Sequence, residues 1–178
     1  RAREALSGRK FDMVITMLGA ADSGAYELGR EIKRIDPELP VVHLSHQAVA
    51  AEATAAGAEF PKLPGVDRAF VWSGNTDLLV ALVKSAEDRL NADHDTVSAG
   101  IRVILLVEDS PVYISSLLPL LYKEVVSQTQ GLLEEGLNEE HRLLTMRARP
   151  KILVAEDYET AVRLFERYGR HVECTPAG

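Results

Sequence analysis

Cysteine is nearly absent from this chain. Of its 178 residues only Cys174 carries a thiol, which excludes an internal disulfide and any cysteine-rich metal site. A reducing cytoplasm is therefore the expected setting. Aromatic residues make up 6%, with one tryptophan, Trp72. No apolar run approaches the roughly 20 residues that a membrane-spanning helix needs, and no signal peptide with a basic start and apolar centre is present. Positive charge is scarce as well. Lys and Arg number 20 against 27 Asp and Glu, a formal net charge of -7, which argues against nucleic acid as a partner. The longest basic cluster, Arg147-Ala148-Arg149-Pro150-Lys151, is short and is expected to mark a helix end, where the macrodipole favours cations.

Catalytic signatures are missing too. Gly19, Gly24, Gly29, Gly131 and Gly136 form neither G-x-x-x-x-G-K-[ST] nor G-x-G-x-x-G. No Ser/His/Asp set has recognisable context, so the sequence lends no support to an enzyme. His43 and His46 are three apart, but on a strand they point to opposite faces and cannot share a metal. His141 reads as a surface helical residue rather than a phosphorylation site.

What is present is a core and a rhythm. With 46% hydrophobic and 26% charged residues, the chain suits one or two soluble domains. It begins at Arg1 rather than Met, so a longer parent protein is expected. Short apolar runs alternate with amphipathic segments, the pattern of βαβ units and a parallel sheet. Strands are expected at 11–17, 39–45, 66–72, 102–109 and 151–155. Helices are expected at 2–7, 24–35, 47–56, from Asn75-Thr76-Asp77 to about Leu90, and at 158–168 capped by Asp157 or Glu156. Ser110-Pro111 has the order of an N-cap followed by proline at the first helical position. Helical sequence continues from there to about Arg147, with a bend expected at Pro119. Residues 91–100, NADHDTVSAG, are polar with Gly and Ser, and read as a linker.

The stretch FDMVITMLGAADSGAYELGREIKRIDPELPVVHLSH, residues 11–46, resembles the middle of a response-regulator receiver domain. There the third strand ends in the phosphorylated Asp and the fourth in Ser or Thr. The stretch IRVILLVEDSPVYISSLLPLLY, residues 101–122, resembles a receiver's start, a strand ending in an acidic pair and running into the first helix. More narrowly, EEGLNEEHRLLTMRARPKILVAEDYETAVRLFERYG, with FVWSGN and EDRLNADHDT, is similar to the tandem receiver region fused ahead of pyruvate, phosphate dikinase or phosphoenolpyruvate synthase-type modules. The resemblance implies an α/β, flavodoxin-like parallel sheet with flanking helices. It divides the chain into a first receiver-like segment (1–90, strands three to five), the linker (91–100), and a second segment (101–178, strands one and two with a long helical insertion).

A working receiver holds Mg²⁺ through paired carboxylates and moves a phosphoryl group to the acceptor Asp. A hydroxyl on strand four and a lysine on strand five then bind the phosphoryl oxygens. Carried onto this chain, the acidic pair is Glu108 and Asp109, and the hydroxyl is Ser45. The acceptor position falls on Met17, which has no oxygen to phosphorylate, and the lysine position on Trp72. Asp12 and Asp22 lie at the wrong ends of their segments to substitute. Each match has a plainer alternative: Glu108-Asp109 as a structural pair with Asp109 helping to cap the next helix, Ser45 bonding local backbone, Trp72 filling core rather than anchoring a partner.

Two assemblies follow. The elements could join as one receiver-like sheet in circularly permuted order, since a linker of about 10 residues spans roughly 30 Å, or they could remain two incomplete halves. The leading functional expectation is a pseudo-receiver acting by protein–protein contact, with a histidine kinase or a fused dikinase-type module as partner and Mg²⁺ at Glu108 and Asp109 as its one candidate cofactor. The alternatives are a competent receiver whose acceptor lies beyond residue 178, and a structural module dimerising through the long helix at 111–147.

Overall fold

The run from Leu39 to Ser45 is apolar almost throughout, as a parallel strand covered on both faces must be. In the computed structural model, which describes residues 10–17, 23–46, 64–134 and 149–172, this run forms the middle strand of a sheet. The elements in chain order are β1 (Val14–Thr16), α1 (Ser23–Ile35), β2 (Val41–His46), β3 (Arg68–Trp72), α2 (Thr76–Ala99), β4 (Val103–Val107), α3 (Pro111–Glu134), β5 (Lys151–Ala155) and α4 (Tyr158–Tyr168). The expected alternation of strand and helix is present, and every strand pair is parallel. Expected helices at 2–7 and 47–56, and the continuation of α3 to Arg147, lie outside the described residues, as do Asp22, Gly136, His141 and Cys174.

The chain divides into two compact units, Arg1–Asn75 and Thr76–Gly178. In the first, the sheet order is β1-β2-β3, with Val14 opposite Val41 and Val42 opposite Arg68. Ile32 of α1 packs with Leu39 and Val41, and Leu28, Val14 and Val66 close around them. Asp36 ends α1 through an Asx turn, accepting the N–H groups of Glu38 at 3.1 Å and Leu39 at 3.2 Å. Lys33 then ties the helix end to the sheet. Its Nζ donates to the carbonyl of Leu39 at 2.8 Å and meets Asp67 Oδ2 at 2.7 Å. The same Asp67 oxygen accepts the N–H of Val41. Gly65 (φ +80°) turns the chain into β3 directly against α1, where a Cβ would stand 2.4 Å from the backbone N of Arg30.

In the second unit β4 pairs with β5, and on its other side Val103 bridges to Val172, with the Val103 N–H donating to His171 O at 2.8 Å. This corrects the circularly permuted joined sheet. β1 is bonded to β2, and the described strands form separate three- and two-stranded sheets. The place beside β4 that β1 would have taken is entered by the chain's own residues 171 and 172.

The reading of residues 91–100 as a linker is also corrected, because α2 runs unbroken through Ala99 and ends at Gly100, φ +62°. The polar residues that suggested a linker have tertiary partners instead. Tyr168 donates its hydroxyl to Asp93 at 2.6 Å, and Asp93 also pairs with Arg167. Asp95 pairs with Lys151 at 2.7 Å, while the buried Thr96 donates within its own helix, to the carbonyl of Ala92. Ala92 itself packs with Val103, Leu153 and Tyr168. The break between units therefore comes at Asn75, ahead of α2, rather than at 91.

The remaining helix ends follow the sequence. Pro111 opens α3, with Ser110 Oγ facing the N–H of Tyr113 at 3.5 Å. Pro119 is accommodated inside this helix, which continues to Glu134. Asp157 caps α4, accepting the N–H of Thr160 at 2.7 Å.

Candidate functional site

Open parallel α/β sheets bind ligands beyond the carboxyl ends of their strands, so those ends come first. At the end of β1, Met17 is 62% exposed. Ser45, near the end of β2, is buried beside Val71, and Trp72 is half-buried opposite His46. The three positions thus share the carboxyl edge of one sheet, but they do not form a common polar pocket. Asp12 and Asp67 sit where strands β1 and β3 begin, and Asp36 follows the end of α1. The thioether of Met17 cannot be phosphorylated, and Trp72 brings no cation to the edge.

One face of this sheet joins two polar groups that the sequence did not bring together. Thr16 lies opposite His43, and its Oγ1 is 3.0 Å from His43 Nδ1, both side chains buried. Burial holds the His43 imidazole below its ordinary pKa, because the charged form loses water it cannot replace there. His46 is exposed on the opposite face, as the alternation of a strand requires.

In the second unit, Glu108 and Asp109 follow β4. Glu108 Oε1 accepts the N–H of Ser110 at 2.9 Å, so it shapes the entry to α3, while Asp109 is exposed. The capping position belongs to Ser110 rather than Asp109. Among the described residues no group of three or more His, Cys, Asp or Glu could hold a metal. The pair thus offers two carboxylates, and other ligands would have to complete the coordination of Mg²⁺.

The densest polar arrangement lies elsewhere, around Asp88. Its carboxylate is 0% exposed. Arg149 grips it twice, Nη2 to Oδ1 at 2.6 Å and Nη1 to Oδ2 at 2.9 Å. Tyr122 donates its hydroxyl to Oδ2 at 2.9 Å, and the N–H of Ile152 donates to the same oxygen at 2.9 Å. Lys151 lies 3.8 Å from Oδ1 and bonds Asp95 more closely. Each charge thus finds its opposite, as burial demands. Burial lowers the pKa of Arg149, but the bonds and charge of Asp88 outweigh this and leave it raised. Burial, then the Asp88 charge, pushes the Tyr122 phenol far up, and the hydrogen bond from Lys151 holds Asp95 below its ordinary value.

The helix end expected at Arg147 lies outside the described residues, but the hub takes up two members of that basic cluster. Arg149 is buried against Asp88, and Lys151 is the buried first residue of β5. The signal was available in part: Leu78, Ala81, Ser85, Asp88 and Ala92 recur at helical spacing on the buried side of α2, and an acid in such a stripe calls for a buried partner. With Asp88 closed to solvent and saturated by donors, the hub is architecture rather than a ligand site. No protein-family model, no curated protein and no solved structure matches this chain.

Proposed function

We propose that the chain is a receiver-like regulatory module of phosphorelay signalling, whose first unit acts by protein–protein contact rather than by its own phosphorylation. The observation that carries this reading is Met17, exposed at the carboxyl end of β1, where the receiver pattern has its acceptor Asp. The order of the strands supports the same reading. The flavodoxin-like sheet runs 2-1-3-4-5; β1-β2-β3 corresponds to strands three, four and five, and β5-β4-Val172 to strands two, one and the start of three. An exposed methionine and a half-buried tryptophan on the carboxyl edge of one sheet suit a contact surface, since such residues are enriched where proteins meet. On this reading the module resides in the cytoplasm, within a larger protein of the dikinase-fused type.

Incubation with acetyl phosphate or beryllofluoride and Mg²⁺ tests the proposal. Intact mass and amide spectra of residues 10–75 should not change. Stoichiometric aspartyl phosphorylation in this unit would defeat the reading.

A second reading, of the second unit as a competent receiver, is favoured by one observation. Val172 enters beside β4 on the side opposite β5, the place of a third strand whose acceptor would follow. Glu108 and Asp109 would then hold Mg²⁺, with the acceptor Asp as a further ligand, and the metal would neutralise charge on the moving phosphoryl group. Titration of the parent protein with Mn²⁺ should broaden the amide signals of Glu108 and Asp109 selectively. Absence of broadening at millimolar metal would remove this reading and leave the first intact.

A further inference from the structure

Strand β1, Val14–Thr16, is the shortest of the first unit. Among the described residues it is also an outer strand of its sheet. It meets β2 only along Val41–His43, whereas β3 lies against β2 along Val42–His46. Where β1 ends, side chains join the two strands as well: Thr16 Oγ1 lies 3.0 Å from His43 Nδ1, and both residues are buried. The exposed Met17 comes next in the chain.

The His43 ring has little around it to balance a charge. Val14 and Thr16 of β1 and Ala69 and Val71 of β3 share its face of the sheet, and none of them titrates. Helix α1 covers this face through Leu28 and Ile32. Its Lys33 pairs with Asp67, which precedes β3, and its Glu31 pairs with Arg34. Glu27 and Arg30 of the same helix are exposed, as is Asp12 ahead of β1. Burial alone lowers the pKa of His43, so a ring that takes up a proton there must regain water.

We propose that His43 is an acid-sensitive latch on β1, whose protonation detaches β1 from β2 and takes the exposed Met17 out of the carboxyl edge. β1 is the element that yields, because opening it breaks fewer backbone bonds than parting β2 from β3. The consequence for partner contact rests on the reading of Met17 and Trp72 as a contact edge. The latch itself does not, and it is measured on the chain without a partner.

Native-state hydrogen exchange is the test. The N–H of Val14, which donates to Pro40 O at 2.8 Å, reports the latch. The N–H of Ala69 reports the rest of the sheet; it is the next to face β2 after that of Asp67, which donates to Val41 O. Between pH 7.5 and 5.5 the protection factor of Val14 should fall about fivefold to tenfold. The fall should set in near the ordinary 6.5 and level off at the pH where the ring of His43 titrates in the folded chain. At pH 5.5 urea should barely change the exchange of Val14, since detaching β1 exposes little surface, but should speed that of Ala69. In H43Q the pH dependence at Val14 should vanish.

A Val14 opening that ignores pH, or whose pH dependence survives in H43Q, overturns the proposal. So does a Val14 opening with the urea dependence of Ala69, because the proton would then be taken up only by unfolding of the whole unit. If H43Q does not fold, the unaltered chain decides. A levelling point at Val14 that differs from the titration of the His43 ring overturns the latch.

Discussion

Asp88 and Arg149 meet as a two-pronged pair, 2.6 and 2.9 Å along its two arms and 61 residues apart in sequence. The carboxylate is on α2 and the guanidinium two residues ahead of β5. Removing one member of such a pair leaves the other charged and buried. R149A is therefore expected to lower the stability of the second unit by about 3–5 kcal/mol. R149K, which keeps the charge but not the fork, should fall between R149A and the unaltered chain. Urea denaturation followed by amide signals of α2 and β5 measures both. An R149A loss below about 1 kcal/mol would show that the pair behaves as a surface bridge and sink the assignment.

Gly65 and Gly74 separate two costs of a side chain. Both have positive φ, but a Cβ at Gly65 meets α1 backbone at 2.4 Å, whereas one at Gly74 meets nothing within 4 Å. G74A should cost only the left-handed backbone, about 1–2 kcal/mol. G65A must in addition push α1 away, and its loss should exceed that of G74A clearly. Similar losses for the two variants would mean that the turn at Gly65 does not press on the helix.

His43 makes the first unit sensitive to mild acid. Its folded pKa lies below the ordinary 6.5 because the ring is buried, so the folded state binds the proton less readily than the unfolded one. The contribution of the neutral ring is complete above the ordinary value and is lost as pH falls through the lowered folded value. The first unit should be less stable at pH 5.5 than at pH 7.5, and H43Q should flatten that difference. A pH dependence unchanged in H43Q would assign it to other groups.

Tyr168 supplies a probe at the alkaline end. Burial first, then the hydrogen bond it donates to Asp93, raises its pKa to about 12. Its phenolate absorbance should appear only near that pH and move to lower pH in D93N. The stability that this bond supplies is complete below the ordinary value of 10.0 and is lost as pH rises through the raised one. Identical titrations of Tyr168 in D93N and the unaltered chain would remove Asp93 as a cause.

Asp157 caps α4 through the N–H of Thr160. D157A should cost about 1 kcal/mol, the usual worth of an N-cap, while D157N should recover most of it. Thermal unfolding of the second unit followed by far-ultraviolet circular dichroism checks this, and a silent D157A would show that the cap is redundant.

The sequence by itself determined the elements with a local cause. Short apolar runs placed all five described strands, most plainly β2 and β5, which are buried almost throughout. Ser110-Pro111 and Asp157 placed the starts of two helices, because an orphan N–H needs a nearby acceptor. The separation of His43 and His46 onto opposite faces followed from the alternation of a strand. Only the tertiary structure decided the rest. Residues 91–99 look like a linker until Tyr168, Arg167 and Lys151 are seen to satisfy their acids. The choice between one joined sheet and two rested on which segment lies beside β4, a long-range pairing that strand sequence does not encode. Asp88 and Arg149 could be matched only in three dimensions, since a buried charge is defined by its partner and that partner lies a helix, a strand and a second helix away.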